Sequence, residues 1–172
     1  GSMSPSELVL HAAEKGLAAI ALTDHDTVDG IKEAVAKGKE CGVEVVPAIE
    51  FSARSNTLTH ILGFYIDEDN TMLRSVLTEM VDLRRERNVM TAKLLQELGF
   101  DVTLEEAAAI APGGIIGRAH YAKLLMDKGY TKSVNEGFKL YLENGKYAYC
   151  GKQTMTDEEA VRLIKECGGV AC

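Results

Sequence analysis

The sequence predicts an α/β fold, and three observations support that prediction. Short apolar runs alternate with amphipathic stretches whose apolar residues recur at helical spacing. The first of these runs begins at a glycine and ends in a polar cluster. This pattern is typical of a strand in a parallel sheet whose two faces are both covered. Polar residues also recur where the apolar runs end, and ligands of α/β proteins bind at the carboxyl ends of strands. The pattern fits a β/α barrel or an open α/β sheet.

Length and composition limit the classes of protein. A chain of 172 residues favours one domain with an insertion over two independent domains. Its composition, 46% hydrophobic and 26% charged residues, is typical of a soluble globular protein. No apolar run is long enough to span a bilayer and no signal-peptide pattern is present, so we expect a cytoplasmic location and no membrane partner. A formal charge of −7 argues against duplex DNA as a partner.

The first helix and strand have local signals. Ser4-Pro5-Ser6-Glu7 combines a capping box with proline at the first helical position, which predicts a helix to about Lys15. Gly16 ends that helix. The apolar run up to Leu22 predicts a strand that is covered on both faces.

A polar octet, Thr23-Asp24-His25-Asp26-Thr27-Val28-Asp29-Gly30, follows this strand at its carboxyl end. His25 is therefore a candidate metal ligand or acid–base group, and Asp24 or Asp26 would orient its ring through the second nitrogen. The same residues also fit a turn that leads into a helix cap.

One helix and two strands come next. An amphipathic helix is predicted over residues 31–40. Val43–Ile49 is predicted as a strand with Glu50 at its end, and Leu58–Ile66 as a third strand with His60 inside it.

From Thr71 the apolar residues recur at helical spacing as far as Gly99, which predicts a long helix or two helices in line. Arg87 occupies a position where this stripe expects an apolar residue, and Asn88 lies beside it. Either the basic side chains extend to solvent, or this face meets an anion, because guanidinium groups match phosphate geometry.

More helices follow, without a strand between them, and the capping box Thr103-Leu104-Glu105-Glu106 opens the first of them, a short helix that Pro112-Gly113-Gly114 ends. Gly117-Arg118-Ala119-His120 begins a helix that runs to about Lys128, and another is predicted over Val134–Leu142. Arg118 and His120 are either solvated or available to a substrate. This run predicts a helical insertion at 71–150 over one end of the sheet, between a first part of the barrel at 1–70 and a return to it at 151–172.

The last segment repeats the helix signals. Thr156-Asp157-Glu158-Glu159 is a capping box that opens a helix to about Cys167, and Val170–Cys172 is predicted as the opening of a strand.

Three residues form the candidate metal site: His25, Glu50 and His60. Two imidazoles and a carboxylate suit zinc, manganese or iron, and residues near successive strand ends can converge in space. Taken one at a time, each also fits a structural role, as a hydrogen-bonded strand histidine or a solvated strand end.

These segments resemble the PHP domain (polymerase and histidinol phosphatase) family of metal-dependent phosphoesterases over nearly the whole chain. The segments that carry the resemblance are Leu22–Thr27, Pro47–Ser52, Thr59–Phe64, Arg87-Asn88 and Gly117–Ala122. Together they are most similar to the branch that acts on nucleotide phosphates and short RNA.

The resemblance implies a distorted (β/α)7 barrel that holds a cluster of divalent metals (Mn, Zn or Fe). It implies that His25, Glu50 and His60 are metal ligands and that Arg118 and His120 meet the substrate phosphate. Arg87 and Asn88 are further substrate-binding candidates. The implied reaction is metal-assisted attack of hydroxide on phosphorus, with the metals and Arg118 stabilising the developing charge.

The resemblance also places further family ligands before Gly1 and beyond Cys172. We therefore expect a barrel that is incomplete at both ends, either as part of a longer protein or as a domain with weak or absent metal binding. The expected function is hydrolysis of a 3′,5′-bisphosphate or of short RNA ends. The alternatives are a histidinol-phosphate phosphatase and a non-catalytic PHP module with a degenerate metal site.

Overall fold

The structure is a computed structural model that describes residues 3–54, 58–111, 116–151 and 155–172. It divides into two compact units, one formed by Gly1–Met80 with Thr154–Cys172 and the other by Val81–Gln153. In these ranges, no helix combines the length and the apolar composition that crossing a membrane requires. The elements in chain order are α1 (Pro5–Glu14), β1 (Ala19–Leu22), α2 (Ile31–Cys41), β2 (Glu44–Arg54), β3 (Leu58–Phe64), α3 (Thr71–Glu97), α4 (Leu104–Ala109), α5 (Arg118–Asp127), α6 (Val134–Gly137), a π-helical turn (Phe138–Leu142), α7 (Asp157–Glu166) and β4 (Val170–Ala171).

The helices of the first unit begin and end at the signals in the sequence. The Ser4 hydroxyl accepts a hydrogen bond from the backbone N–H of Glu7 at 3.2 Å, and Thr156 caps α7 in the same way. Helix α2 ends at Gly42, which adopts the left-handed conformation with φ 72°. The predicted helices of this unit are confirmed.

Four strands form one mixed sheet in the order β1-β2-β3-β4. Strands β1 and β2 are parallel, whereas the β2–β3 and β3–β4 pairs are antiparallel. The α/β class is confirmed. Among the described strands, however, the expected parallel crossover occurs only in the β1–α2–β2 unit.

The predicted end of the second strand is wrong. Strand β2 continues past Ile49 to Arg54, because its residues from Ala48 onward pair antiparallel with β3. The hydrogen bonds of this hairpin keep the chain extended where the sequence indicated a strand end. Glu50 therefore lies inside a strand.

The prediction that the first strand is covered on both faces is also wrong. Ala19 and Ala21 are exposed, while Leu22 is only 5% exposed. Alanine is apolar enough to make the run look continuous, although the buried face of β1 consists only of Ile20 and Leu22.

The core of the first unit includes the fully buried side chains Ile31, Ile49, Phe51 and Ile164. Helix α7 lies close against β3 at Gly63, where an added Cβ would stand 2.8 Å from a side-chain carbon of Ile164. Close packing of α7 in this way fixes the strand that carries His60.

The second unit is helical, and its core includes Leu95, Val102, Tyr121, Leu125 and Leu142. The Tyr121 hydroxyl donates a 2.8 Å hydrogen bond to a main-chain carbonyl of α3. The helices predicted in this part of the chain are confirmed, with the last one finishing as a π-helical turn.

Candidate metal centre and arginine cluster

The structure brings the three candidate metal ligands together. One ligand atom from each of His25, Glu50 and His60 lies within 4.8 Å of the others. His25 Nε2 is 3.5 Å from Glu50 Oε2, and His60 Nδ1 is 2.5 Å from Glu50 Oε1. The two imidazole rings stand edge to face, with centroids 4.9 Å apart.

Each of these residues reaches the cluster from a different backbone setting. His25 lies beyond the end of β1 but still forms a parallel bridge with Glu50. Glu50 lies within β2 and His60 within β3, where His60 is the cross-strand partner of Ser52. Because alternate residues of a strand and direct cross-strand partners share a face, Glu50, Ser52 and His60 lie on the same face of the sheet.

The donor set fits a divalent metal ion. It combines two imidazole nitrogens with a carboxylate, as catalytic zinc sites do, and it also suits manganese or iron. The side chain of Glu50 is 22% exposed, whereas those of His25 and His60 are 52% and 43% exposed. The carboxylate is therefore held toward the protein, and the two rings remain open to further ligands.

Asp26 is one of the two residues, with Asp24, that were predicted to orient the ring of His25, and the structure gives its carboxylate a contact with the backbone. Its carboxylate Oδ1 accepts a 3.0 Å hydrogen bond from the backbone N–H of Ser52. Its side chain is nearly buried, and its φ of 55° lies in the left-handed region. The carboxylate thus acts on the backbone of β2.

A second group of functional candidates lies in the second unit. We call Arg84, Arg87 and Arg118 the arginine cluster. Burial lowers the pKa of Arg87, and the positive charges of Arg84 and Arg118 lower it further. Arg87 is thus close enough to both other guanidinium groups to be repelled by them, and such an arrangement of positive charge favours an anion.

Arg118 is held in a fixed position. Its Nη1 donates a 3.0 Å hydrogen bond to the carbonyl oxygen of Leu142. The guanidinium carbon lies 5.1 Å from the ring centroids of both Phe138 and Tyr149. Sequence reasoning missed these two aromatic residues, because they lie far from Arg118 along the chain and no local motif marks them.

His120 and Asn88, two further substrate-binding candidates, make defined hydrogen bonds with the backbone. His120 Nδ1 accepts a 3.0 Å hydrogen bond from the backbone N–H of Gly117, which leaves the ring proton of a neutral imidazole on Nε2. The side-chain amide of Asn88 is buried and donates to the carbonyl oxygen of Ile116 at 3.1 Å. Nε2 of His120 is thus a donor, while Asn88 joins α3 to the start of α5.

A cavity of about 420 Å³ lies between α3 and α4 and shares Arg84 with the arginine cluster. Its walls are apolar apart from two guanidinium groups, one amide and one carboxylate. The lining residues are Val81, Arg84, Arg85, Asn88, Leu104, Glu105, Ala108 and Ile116. Its size and composition are those of a site for a small organic group.

Comparison with known proteins identifies the family. The family model of the PHP domain matches residues 1–159. The chain belongs to the PHP domain family. The resemblance in the sequence motifs is therefore confirmed.

Several curated relatives match this PHP chain over 99% of its length. A 5′-3′ exoribonuclease of Haemophilus influenzae is 34% identical to it, and the 5′-3′ exoribonuclease Rnm of Escherichia coli is 32% identical. A 3′,5′-nucleoside bisphosphate phosphatase of Chromobacterium violaceum is also 32% identical. The chain spans 59–62% of the length of these relatives.

Two solved structures have a similar fold. An amidohydrolase from Chromobacterium violaceum, with bound sulfate and no metal, superposes with a TM-score of 0.80 at 32% identity. A protein of Bifidobacterium adolescentis, described as a metal-dependent phosphoesterase, gives 0.81 at 26% identity. This PHP chain covers 61% of each of those chains, and each match covers 99% of it.

Proposed function

We propose that this chain carries the metal centre and a phosphate-binding group of a phosphoesterase that hydrolyses nucleotide phosphates or short RNA ends. The convergence of His25, Glu50 and His60 on one place is the observation that carries the proposal. The names of the relatives, an exoribonuclease and a nucleoside bisphosphate phosphatase, support the same class of substrate.

His25, Glu50 and His60 would hold the divalent ion. A bound ion of this kind supplies Lewis-acid polarisation of a phosphoryl oxygen and lowers the pKa of a water molecule. The carboxylate of Glu50 provides the negative charge that a dication requires, while neutral imidazoles supply the remaining donors. Zinc, manganese and iron all accept this donor set.

The arginine cluster would bind a phosphate group of the substrate. Guanidinium groups donate paired N–H bonds to phosphate oxygens, and an anion would offset the repulsion among Arg84, Arg87 and Arg118. The Nε2 proton of His120 adds a neutral donor. Asn88 would contribute by holding the backbone of α3 against Ile116 rather than by contacting phosphate.

The cavity beside the arginine cluster would take the base of the substrate. Its apolar wall and its guanidinium groups suit a flat aromatic ring, because guanidinium planes stack on such rings. Histidinol phosphate carries one phosphate and an imidazole ring that is smaller than a nucleobase, so it would fill less of this site. A nucleotide is therefore the preferred substrate in this proposal.

The mixed sheet would belong to a distorted (β/α)7 barrel of the PHP type. In this arrangement, residues 1–70 and 151–172 are parts of the barrel and residues 71–150 are its helical insertion. Membership of the family and the parallel β1–α2–β2 unit support this assignment.

Metal binding and phosphate release test the proposal together. Co²⁺ affinity is measured from visible absorption, and phosphate release from adenosine 3′,5′-bisphosphate is compared with release from histidinol phosphate. Glu50→Gln keeps the shape of the side chain and removes its charge, so we expect a loss of at least about 100-fold in metal affinity. Glu44→Gln, at an exposed position of the same strand, is the matched control.

Each outcome has a distinct meaning. Equal Co²⁺ affinity in the native chain and in the Glu50→Gln variant would contradict the metal centre. Tight metal binding without phosphate release from any substrate would indicate a binding module. Preferential hydrolysis of histidinol phosphate would favour that alternative.

A further inference from the structure

We propose that Asp26 is a positioning residue that fixes all three candidate metal ligands through the backbone of β2. This inference rests on the proposed metal centre and goes beyond it, because Asp26 is not one of the ligands. Its carboxylate bonds to a backbone N–H in the strand that carries Glu50.

The conformation of Asp26 is unfavourable unless the surroundings stabilise it. The residue is only 5% exposed, and burial of a carboxylate is costly without hydrogen-bond partners. Its φ of 55° is one of two positive values among the described non-glycine residues. Residues other than glycine rarely adopt this backbone conformation, although aspartate tolerates it better than most.

The hydrogen bonds around Asp26 continue the parallel ladder between β1 and β2. The N–H of Glu50 donates to the carbonyl of Asp24 at 3.1 Å, and the N–H of Asp26 donates to the carbonyl of Glu50 at 3.0 Å. The next donor of a parallel ladder is the N–H of Ser52, whose regular acceptor would be the carbonyl of Asp26. Because the chain turns away at the positive φ, the Asp26 carboxylate accepts this bond instead, at 3.0 Å.

Because the Asp26 side chain replaces the main-chain acceptor, the backbone segments that carry the three ligands are connected. His25 lies between two residues that are both bonded to Glu50. Ser52, which Asp26 holds, is the cross-strand partner of His60. The positions of His25 and Glu50 therefore depend on the β1–β2 ladder, in which Asp26 provides the last bond, and His60 is joined to this ladder through its β2–β3 pairing with Ser52.

Co²⁺ affinity of three variants tests the inference. Asp26→Gly removes the carboxylate and keeps the left-handed conformation accessible. Asp26→Asn keeps an oxygen acceptor and tolerates the same φ, so it serves as the conservative rescue. Tyr65→Gly is the matched control, since Tyr65 is the other described non-glycine residue with a positive φ and its side chain is exposed.

We expect Asp26→Gly to bind Co²⁺ about 10–100-fold more weakly than the native chain, because loss of a residue that supports a metal ligand typically lowers metal affinity by that much. The Co²⁺ affinity of the Asp26→Asn variant should stay within about fivefold of the native value, and that of Tyr65→Gly within about threefold. The visible bands of the cobalt-loaded Asp26→Gly variant should also change, because they report the geometry of the ligands. A folded Asp26→Gly variant with native affinity and native bands overturns the inference.

Hydrogen exchange at the Ser52 amide decides the matter if Asp26→Gly does not fold. Two results for the Asp26→Asn variant support the positioning role. Either the Ser52 amide stays protected and Co²⁺ affinity stays within about fivefold of the native value, or the amide loses protection and Co²⁺ binds more weakly. Two other results overturn it. Either the Ser52 amide loses protection while Co²⁺ affinity is unchanged, or the amide stays protected while Co²⁺ affinity is more than about tenfold weaker. Failure of the native chain itself to bind Co²⁺ would instead contradict the proposed metal centre.

Discussion

Replacing Arg87 by methionine should separate phosphate binding from stability, since this guanidinium is unfavourable in the folded chain. Burial and the charges of Arg84 and Arg118 lower the pKa of Arg87, so its charged form is less stable in the fold than in the unfolded chain. Methionine keeps an unbranched apolar side chain and removes the charge. We expect the free energy of unfolding to rise by about 1 kcal/mol, the size of a partly solvated like-charge contact.

Phosphate binding should change in the opposite direction. A hydrogen bond from a charged group contributes about 1.5–3 kcal/mol. Loss of the Arg87 guanidinium should therefore raise the dissociation constant for adenosine 3′,5′-bisphosphate by about 10–100-fold. Urea unfolding measures the stability, and isothermal titration calorimetry measures the affinity.

Lys93→Met is the matched control, because Lys93 lies on the same helix, is exposed and is not among the residues that line the cavity. Its unfolding free energy should stay within about 0.5 kcal/mol of the native value, as is usual for exposed positions. An Arg87→Met variant that is less stable than the native chain, and binds the bisphosphate equally well, would refute the reasoning. Arg87 would then act through the packing of its apolar stem.

Three further changes have defined outcomes. Gly38→Ala would place a Cβ 2.5 Å from the carbonyl oxygen of Val43, so the urea midpoint should fall by the equivalent of about 1–3 kcal/mol, although alanine has the better helix propensity. An unchanged midpoint would contradict this close packing. Tyr121→Phe removes a buried 2.8 Å hydrogen bond to a main-chain carbonyl and should cost about 1 kcal/mol in thermal unfolding, and a variant as stable as the native chain would argue against that bond. Ala108→Trp should fill the cavity and lower kcat/KM for a nucleotide more than for ribose 5-phosphate, whereas the neighbouring Ala109→Trp should not; equal losses for the two substrates would count against a base in that cavity.

The helices of this chain could be predicted because their signals are local. Ser4, Thr103 and Thr156 each accept a hydrogen bond from a backbone N–H three residues later, and in each case the reciprocal glutamate bond is present. A capping box requires only four consecutive residues, so it can be identified without knowledge of the tertiary structure.

The strands were harder to predict, because pairing is not a local property. The apolar run up to Ile49 ends in Glu50, and a polar residue after such a run is typical of a strand end. Pairing with β3 keeps β2 extended to Arg54. The residues of β2 alone do not show that β3 will pair with them.

The candidate site was predicted in part. The residue types and the family motifs indicated His25, Glu50 and His60, and the structure brings their side chains together. The bond from Ser52 to Asp26 links residues on two different elements and leaves no signal in either segment. The aromatic contacts of Arg118 could not be predicted for the same reason.

The three ligands therefore depend on register more than on strand ends. Side chains of a strand alternate between its two faces, so a shift of one residue in β2 would turn Glu50 away from His60. The β1–β2 ladder past Leu22 and the β2–β3 pairing both pass through residues 50–52. A shift of β2 would also break the hydrogen bond between the Ser52 N–H and the Asp26 carboxylate. Hydrogen bonds to charged groups contribute about 1.5–3 kcal/mol, so loss of this bond disfavours the pairings in which the metal ligands would not meet.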